Sequence, residues 1–117
     1  MLKVIALLTR KRGMSRNDFI MHYESMHVPL VRKLFPQILD YRRNYVELSG
    51  AIIAPDAAPP DFDSITEIWF RNRDAYDAML AARAKPSIGG QIDREEENFL
   101  DRTKTRFFIV EEHGTTA

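Results

Sequence analysis

The sequence contains no cysteine, which excludes disulfides, thiolate metal sites and a cysteine nucleophile. No apolar run approaches the ~20 residues that span a bilayer. The longest near the N-terminus, residues 4–8, is also too short for the core of a secretory signal. Charge of either sign is not in excess, since 17 basic residues balance 17 acidic ones. Nothing in that balance calls for nucleic acid or a membrane surface as partner. Internal repeats and low-complexity tracts are missing too, as are a G-x-S-x-G elbow, a P-loop, a dinucleotide fingerprint and H-E-x-x-H. A reducing, cytoplasmic setting is the expectation that fits these absences.

What is present is a globular composition, with 44% hydrophobic and 29% charged residues in 117. That length suits one domain, placed at residues 1–113 with a loose tail at 114–117. Residues 1–50 hold nine Lys/Arg against four Asp/Glu, and residues 51–117 hold eight against thirteen. Polarity of this kind suits complementary faces within a domain or across a dimer.

Residues 3–9 read as a strand whose apolar residues do not alternate with polar ones, so both of its faces must be covered. Gly13 makes a turn, and Ser15 caps a helix with Asp18 in its first turn. Along that helix Ile20, Tyr23, His27, Leu30 and Leu34 recur at steps of three and four, defining one inward stripe. Pro29 removes a backbone donor and restrains Val28, which predicts a break or kink near residues 26–28 and a second short helix. Residues 40–48 form a half-exposed edge strand with Tyr41 and Tyr45. A long Ala/Pro-rich loop covers residues 49–61. Residues 64–71 form a third strand, apolar on both sides, with Ile65 and Trp69 on one face and Ile68 and Phe70 on the other. A helix over 75–84 follows. Pro86, Gly89 and Gly90 punctuate it, a short acidic helix spans 92–100 with Phe99 and Leu100 inward, and the last strand covers 103–111.

The order β-α-β-β-α-β predicts an α+β, ferredoxin-like fold: a four-stranded antiparallel sheet with helices on one face. The first and third strands, the two that are greasy on both sides, then lie at the centre. The chain has nothing left to cover the second face, so a homodimer is expected. RNA-recognition modules share this topology, but the first strand offers no ring on which a base could stack.

The strand at residues 4–9, the Gly13-Met14-Ser15 helix start and the His27-Val28-Pro29-Leu30 block resemble the EthD-domain family. Tyr41-Arg42-Arg43-Asn44-Tyr45-Val46, the Glu67-Ile68-Trp69-Phe70 run, Asp93 and Asn98-Phe99-Leu100-Asp101 extend the likeness over almost the whole chain. The resemblance implies a dimeric α/β barrel of two ferredoxin-like protomers. It also implies a small protein of bacterial catabolism or of fungal dehydratase steps, within a superfamily of cofactor-free monooxygenases, isomerases, cyclases and some haem proteins. The Ala/Pro-rich loop and Ser64, where glycine is frequent, depart from the family pattern and bear on pocket shape.

His27 is the foremost candidate for chemistry, an imidazole on the inward stripe one turn after Tyr23. The bland alternative is a core histidine bonded to a helix-end carbonyl. Tyr23 or Tyr41 would hydrogen-bond a developing oxyanion. Glu67 would fix the imidazole tautomer or bind substrate, or else form an ion pair with an arginine of the second strand. His22 lies about 140° from His27 around a helix, too far to share a metal, and is a helix-edge residue that could reach a pocket. Tyr41, Tyr45 and Trp69 could wall a site for an apolar or aromatic ligand. Asp93 and Glu95 to Glu97 read as a solvated helix face. Together these point to a cofactor-independent enzyme of the dehydratase, cyclase, isomerase or monooxygenase type. It would act on a small carbonyl-containing or aromatic molecule, with no metal and no cofactor. The alternatives are a non-catalytic ligand-binding or accessory protein and, less favoured, haem held by His27.

Overall fold

The computed structural model describes residues 1–117. Strands β1 (Leu2–Leu8) and β3 (Ser64–Phe70) form the centre of one antiparallel sheet, and β2 (Ile38–Tyr45) and β4 (Arg106–Val110) form its edges, in the order β2-β3-β1-β4. This is the ferredoxin-like α+β arrangement expected from the pattern of elements. Ala6 lies opposite both Thr66 and Phe107, and Ile5 opposite both Glu67 and Phe108. Side chains alternate strictly along a strand, so this register sorts the central residues into two sets. Val4, Ala6, Leu8, Ser64, Thr66, Ile68 and Phe70 are buried under the helices. Ile5, Leu7, Ile65, Glu67 and Trp69 point the other way and stay partly exposed, because no segment of the chain covers that face.

The first helical segment has three parts: α1 (Arg16–His22), a wide π-helical turn at Tyr23–His27, and α2 (Val28–Leu34). Ser15 caps α1 by accepting a bond from the Asp18 amide at 3.1 Å. The break or kink expected at residues 26–28 takes the form of a wide turn. The chain widens by one turn, with the Val28 N–H bonding the Tyr23 carbonyl five residues back, and then continues as α-helix. Pro29 falls in the first turn of α2, where its missing donor costs no helical bond. The wide turn turns Tyr23 and His27 inward together, and both are buried.

Helix α3 (Arg73–Ala84) is capped by Asn72, which accepts from the Ala75 amide at 2.9 Å. Only Lys85 separates it from α4 (Pro86–Glu96), so α4 begins six residues before the expected start at residue 92. Pro86 opens that helix, and its glycines serve close packing rather than a loop. A Cβ at Gly89 would stand 2.3 Å from the Arg83 carbonyl oxygen. Phe99 and Leu100 are buried as expected, and a short 3-10 turn at Arg102–Lys104 delays β4 to residue 106. One core cluster joins Ala6, Leu8, Phe19, Tyr23, Phe99 and Leu100, and another joins Val31, Phe35 and Ile92. The space between them is not filled.

Candidate active site

That space is a cavity of about 260 Å³ between the sheet and the helices. Ala6, Thr66 and Ile68 form its floor, while Tyr23, His27 and Val31 come from the first helical segment. Met79, Arg83, Ile92 and Glu96 close it from α3 and α4. Thirteen of its 17 lining residues are hydrophobic, which suits a ligand with an apolar body and few polar groups. Arg83, Glu96 and Phe107 also border an open depression containing Arg102, Thr103 and Thr105, so they form the mouth.

Polar groups inside the cavity are few and specific. His27 is 5% exposed, and its Nδ1 is buried without any hydrogen-bond partner. Its ring packs edge-on to Tyr23 at 5.3 Å and against Phe99 at 4.9 Å. Burial, helped by the nearby His22 and Arg83, lowers its pKa to about 4, so the imidazole is neutral at physiological pH. Beside it runs a chain of four hydroxyls: Tyr41 Oη to Tyr23 Oη at 3.0 Å, Tyr23 Oη to Thr66 Oγ1 at 2.9 Å, and Thr66 Oγ1 to Ser64 Oγ at 2.9 Å. Burial pushes the Tyr23 phenol up to about 12 and raises Tyr41 well above its ordinary value. Both therefore remain protonated. Tyr41 is the donor to Tyr23, whereas either atom can donate in the Tyr23–Thr66 and Thr66–Ser64 pairs.

Of the residues picked from sequence, the structure brings Tyr23, His27 and Tyr41 to the cavity. Tyr45 does not line it. Its ring packs on Phe19 and Tyr23, and its hydroxyl donates to Glu24, which also takes two bonds from Arg43 at 2.7 and 2.9 Å. His22 is stacked on Phe99 at 4.9 Å, with Nε2 2.5 Å from Glu95 Oε1, outside the cavity. Glu67 and Trp69 correct the expectation most sharply, because they lie on the opposite face of the sheet. Glu67 cannot orient His27. Its carboxylate binds Lys3 Nζ at 2.7 Å and accepts from Asn44 at 3.1 Å, and the Lys3 bond holds its pKa below the usual range. The partner is thus Lys3 of β1 rather than an arginine of β2. Trp69 lies under the Lys3 ammonium at 4.7 Å and the Arg42 guanidinium at 5.5 Å.

Sequence reasoning missed Thr66, Arg83 and Glu96, and named Ser64 only as a departure that bears on pocket shape. Thr66 and Ser64 carried a signal, as polar residues on the same parity as Ile68 and Phe70 of a central strand. Glu95 and Glu96 did not, because a run of three glutamates reads as solvent-facing. In the structure Glu95 is buried and Glu96 is nearly so. No group of three His, Asp or Glu side chains is placed to hold a metal ion.

The lowered His27 pKa ties the site to acid stability. The unfolded chain takes up this proton near 6.5 and the folded one not until about 4, so stability is lost as pH falls between those values. The loss attributable to His27 is roughly 3 kcal/mol at one pKa unit per 1.36 kcal/mol. Urea unfolding of the wild type and of His27→Phe at pH 7 and pH 4.5 should isolate it. The variant is expected to show the smaller decline, and parallel declines would contradict the assignment.

Residues 11–103 match the family model described as the EthD domain. An ethyl tert-butyl ether D (EthD) family protein from Bacillus halodurans has the same fold at 21% identity, TM-score 0.63, over 97% of this chain and 99% of its own. HapK from Hahella chejuensis is similar at 14% identity, TM-score 0.62, over 100% and 97%. A protein from Arabidopsis thaliana is similar at 14% identity, TM-score 0.63, over the full length of both chains. At such identities the likeness is one of fold. No curated protein matches the chain. With 93 of its 117 residues inside the matched span, the chain belongs to the EthD domain family.

Proposed function

We propose that this protein is a cofactor-independent enzyme that removes a proton next to the carbonyl group of a small, largely apolar substrate. One observation carries the reading: a neutral, buried imidazole with an unpaired nitrogen stands beside a hydroxyl chain inside an apolar cavity. His27 takes the proton, and the C–H electron pair moves into the carbonyl to give an enolate oxygen. Tyr41 donates a hydrogen bond to that oxygen in place of the one it gives Tyr23 in the empty site. A pKa of about 4 makes His27 a weak base in the empty site. The enolate beside it changes this, because opposite charges at close range in an apolar site stabilise one another strongly. Proton transfer therefore becomes favourable only when the substrate is in place. Enolates of this kind lead to isomerisation, cyclisation, elimination or reaction with oxygen, so the proton transfer is common to all the candidate reaction types.

The test uses 2-tetralone, a bicyclic ketone with acidic hydrogens, in D2O. The protein is expected to accelerate loss of the α-proton signal by NMR. Binding of the ketone with no acceleration would favour a ligand-binding or accessory protein instead.

The same reading includes a homodimer. Ile5, Leu7, Ile65 and Trp69 lie around the Lys3–Glu67 pair on the uncovered sheet face, joined at one side by Phe108, 49% exposed. A second copy would bury these side chains while the Lys3–Glu67 pair stays satisfied. Trp69→Glu should therefore turn a dimer into a monomer at micromolar concentration in sedimentation velocity. A wild type that sediments as a monomer would remove the dimer from the proposal.

A further inference from the structure

The proton transfer proposed above leaves a second polar pole of the cavity unused. At the mouth, the Glu96 side chain is 12% exposed. Both guanidiniums beside it spend their short bonds elsewhere. Arg83 Nη2 and Arg102 Nη2 each donate to Asp93 Oδ1 at 2.8 Å, whereas Arg83 Nη2 and Arg102 Nε stand 3.3 and 3.5 Å from Glu96 Oε1. Asp93 thus takes most of the neutralising charge. Desolvation raises the Glu96 pKa despite the two arginines, as expected of a carboxyl that is incompletely paired. On the same wall, Thr105 Oγ1 is buried with no hydrogen-bond partner. Glu96, whose Oε1 already accepts from Arg83 Nη2 at 3.3 Å, and the idle Thr105 hydroxyl therefore border the same depression where the cavity opens.

We propose that Glu96 and Thr105 form an outer subsite for a hydroxyl group at the far end of the ligand, whose carbonyl end lies at His27. This rests on the reading of the cavity as a ligand site, and it narrows the ligand class to neutral, two-ended molecules such as hydroxylated bicyclic ketones or phenols. A hydroxyl donates to Glu96 and accepts from Thr105, so both are satisfied at once. A carboxylate in that position would face the Glu96 charge. An ammonium would face Arg83 and Arg102. Selectivity of this type is strong because a buried group built to hold a hydroxyl is left unpaired by the analogue that lacks it.

The experiment compares 2-tetralone with 6-hydroxy-2-tetralone, which carries a hydroxyl at the opposite end, by isothermal titration calorimetry. In the wild type the hydroxyl is expected to tighten binding tenfold or more. In Glu96→Gln, and separately in Thr105→Val, the ratio of the two dissociation constants should fall below threefold. The second variant leaves the arginine cluster intact, so the test survives if the first folds poorly. A ratio near one in the wild type, or a tenfold ratio that persists in both variants, overturns the subsite and leaves the proton-transfer reading standing. Failure of both ketones to bind would instead overturn the ligand-site reading itself, and the subsite with it.

Discussion

Alanine in place of His27 is expected to slow α-proton exchange of 2-tetralone by about 10²–10⁴-fold, the usual contribution of a positioned general base. The physical case rests on what else the cavity holds. Its other titratable lining groups are Tyr23, Tyr41, Tyr76, Arg83 and Glu96. The phenols Tyr23 and Tyr41 are held protonated by burial, and Glu96 stands at the mouth. No second neutral base remains to substitute. The ring contacts with Tyr23 and Phe99 are lost, but the imidazole Nδ1 has no partner to lose, so urea unfolding should show the variant still folded. A folded variant with lost exchange therefore separates chemistry from structure. Glu67→Gln is the contrast. Its carboxylate lies across the sheet with Lys3, so exchange should stay within about twofold of wild type, while the Lys3 interaction weakens. Unchanged exchange in His27→Ala would end the catalytic reading, and a large loss in Glu67→Gln would mean the two faces of the sheet communicate.

Glu67 lies across the sheet from His27, and β3 shows why that was not legible in the sequence. Ile65, Glu67 and Trp69 share one parity, and Ser64, Thr66, Ile68 and Phe70 share the other, as any strand requires. The split itself was readable. Which half meets the helices was not, because both halves of β3 are apolar enough to be covered, and only docking of α1 to α4 decides between them. The stripe through Tyr23 and His27 was legible in part. It carries aromatic rings at helical spacing, although away from Tyr23 and His27 the fully buried positions are Phe19, Val31 and Phe35 rather than the expected Ile20, Leu30 and Leu34. Pro29 marked an irregularity correctly but not its form, since a wide turn satisfies the freed carbonyls as well as a break does. Pro86, Gly89 and Gly90 misled for a related reason. Proline is tolerated in a first helical turn, and glycine is required where α4 runs against the Arg83 carbonyl, so residues that signal a loop in isolation are helix residues here. The Glu96 mouth was hidden differently, by a run of three glutamates that reads as solvent-facing although Glu95 and Glu96 share a helix face with Ile92.

The largest stability effect should come from Phe99→Ala, a loss of about 3–5 kcal/mol by the rule for truncating a buried aromatic ring. Phe99 is fully buried, with ring centroids 5.7 Å from Phe19, 5.4 Å from Tyr23, and 4.9 Å from both His22 and His27. It sits behind both histidines, outside the cavity lining, and backs the wall that keeps His27 dry. Removing it leaves a void bordered by side chains of α1, the wide turn and β1, which belong to one packed cluster and have little freedom to collapse inward. Two measurements should move together. The urea midpoint should fall, and the His27 pKa, followed by NMR of the imidazole carbons, should climb from about 4 toward its ordinary value near 6.5 as water reaches the ring. Phe99→Leu fills most of the space and should show a smaller version of both. If stability drops while the His27 pKa stays put, desolvation of the imidazole comes from the cavity side alone, and the neutral base is a property of the empty pocket rather than of the core packed behind it.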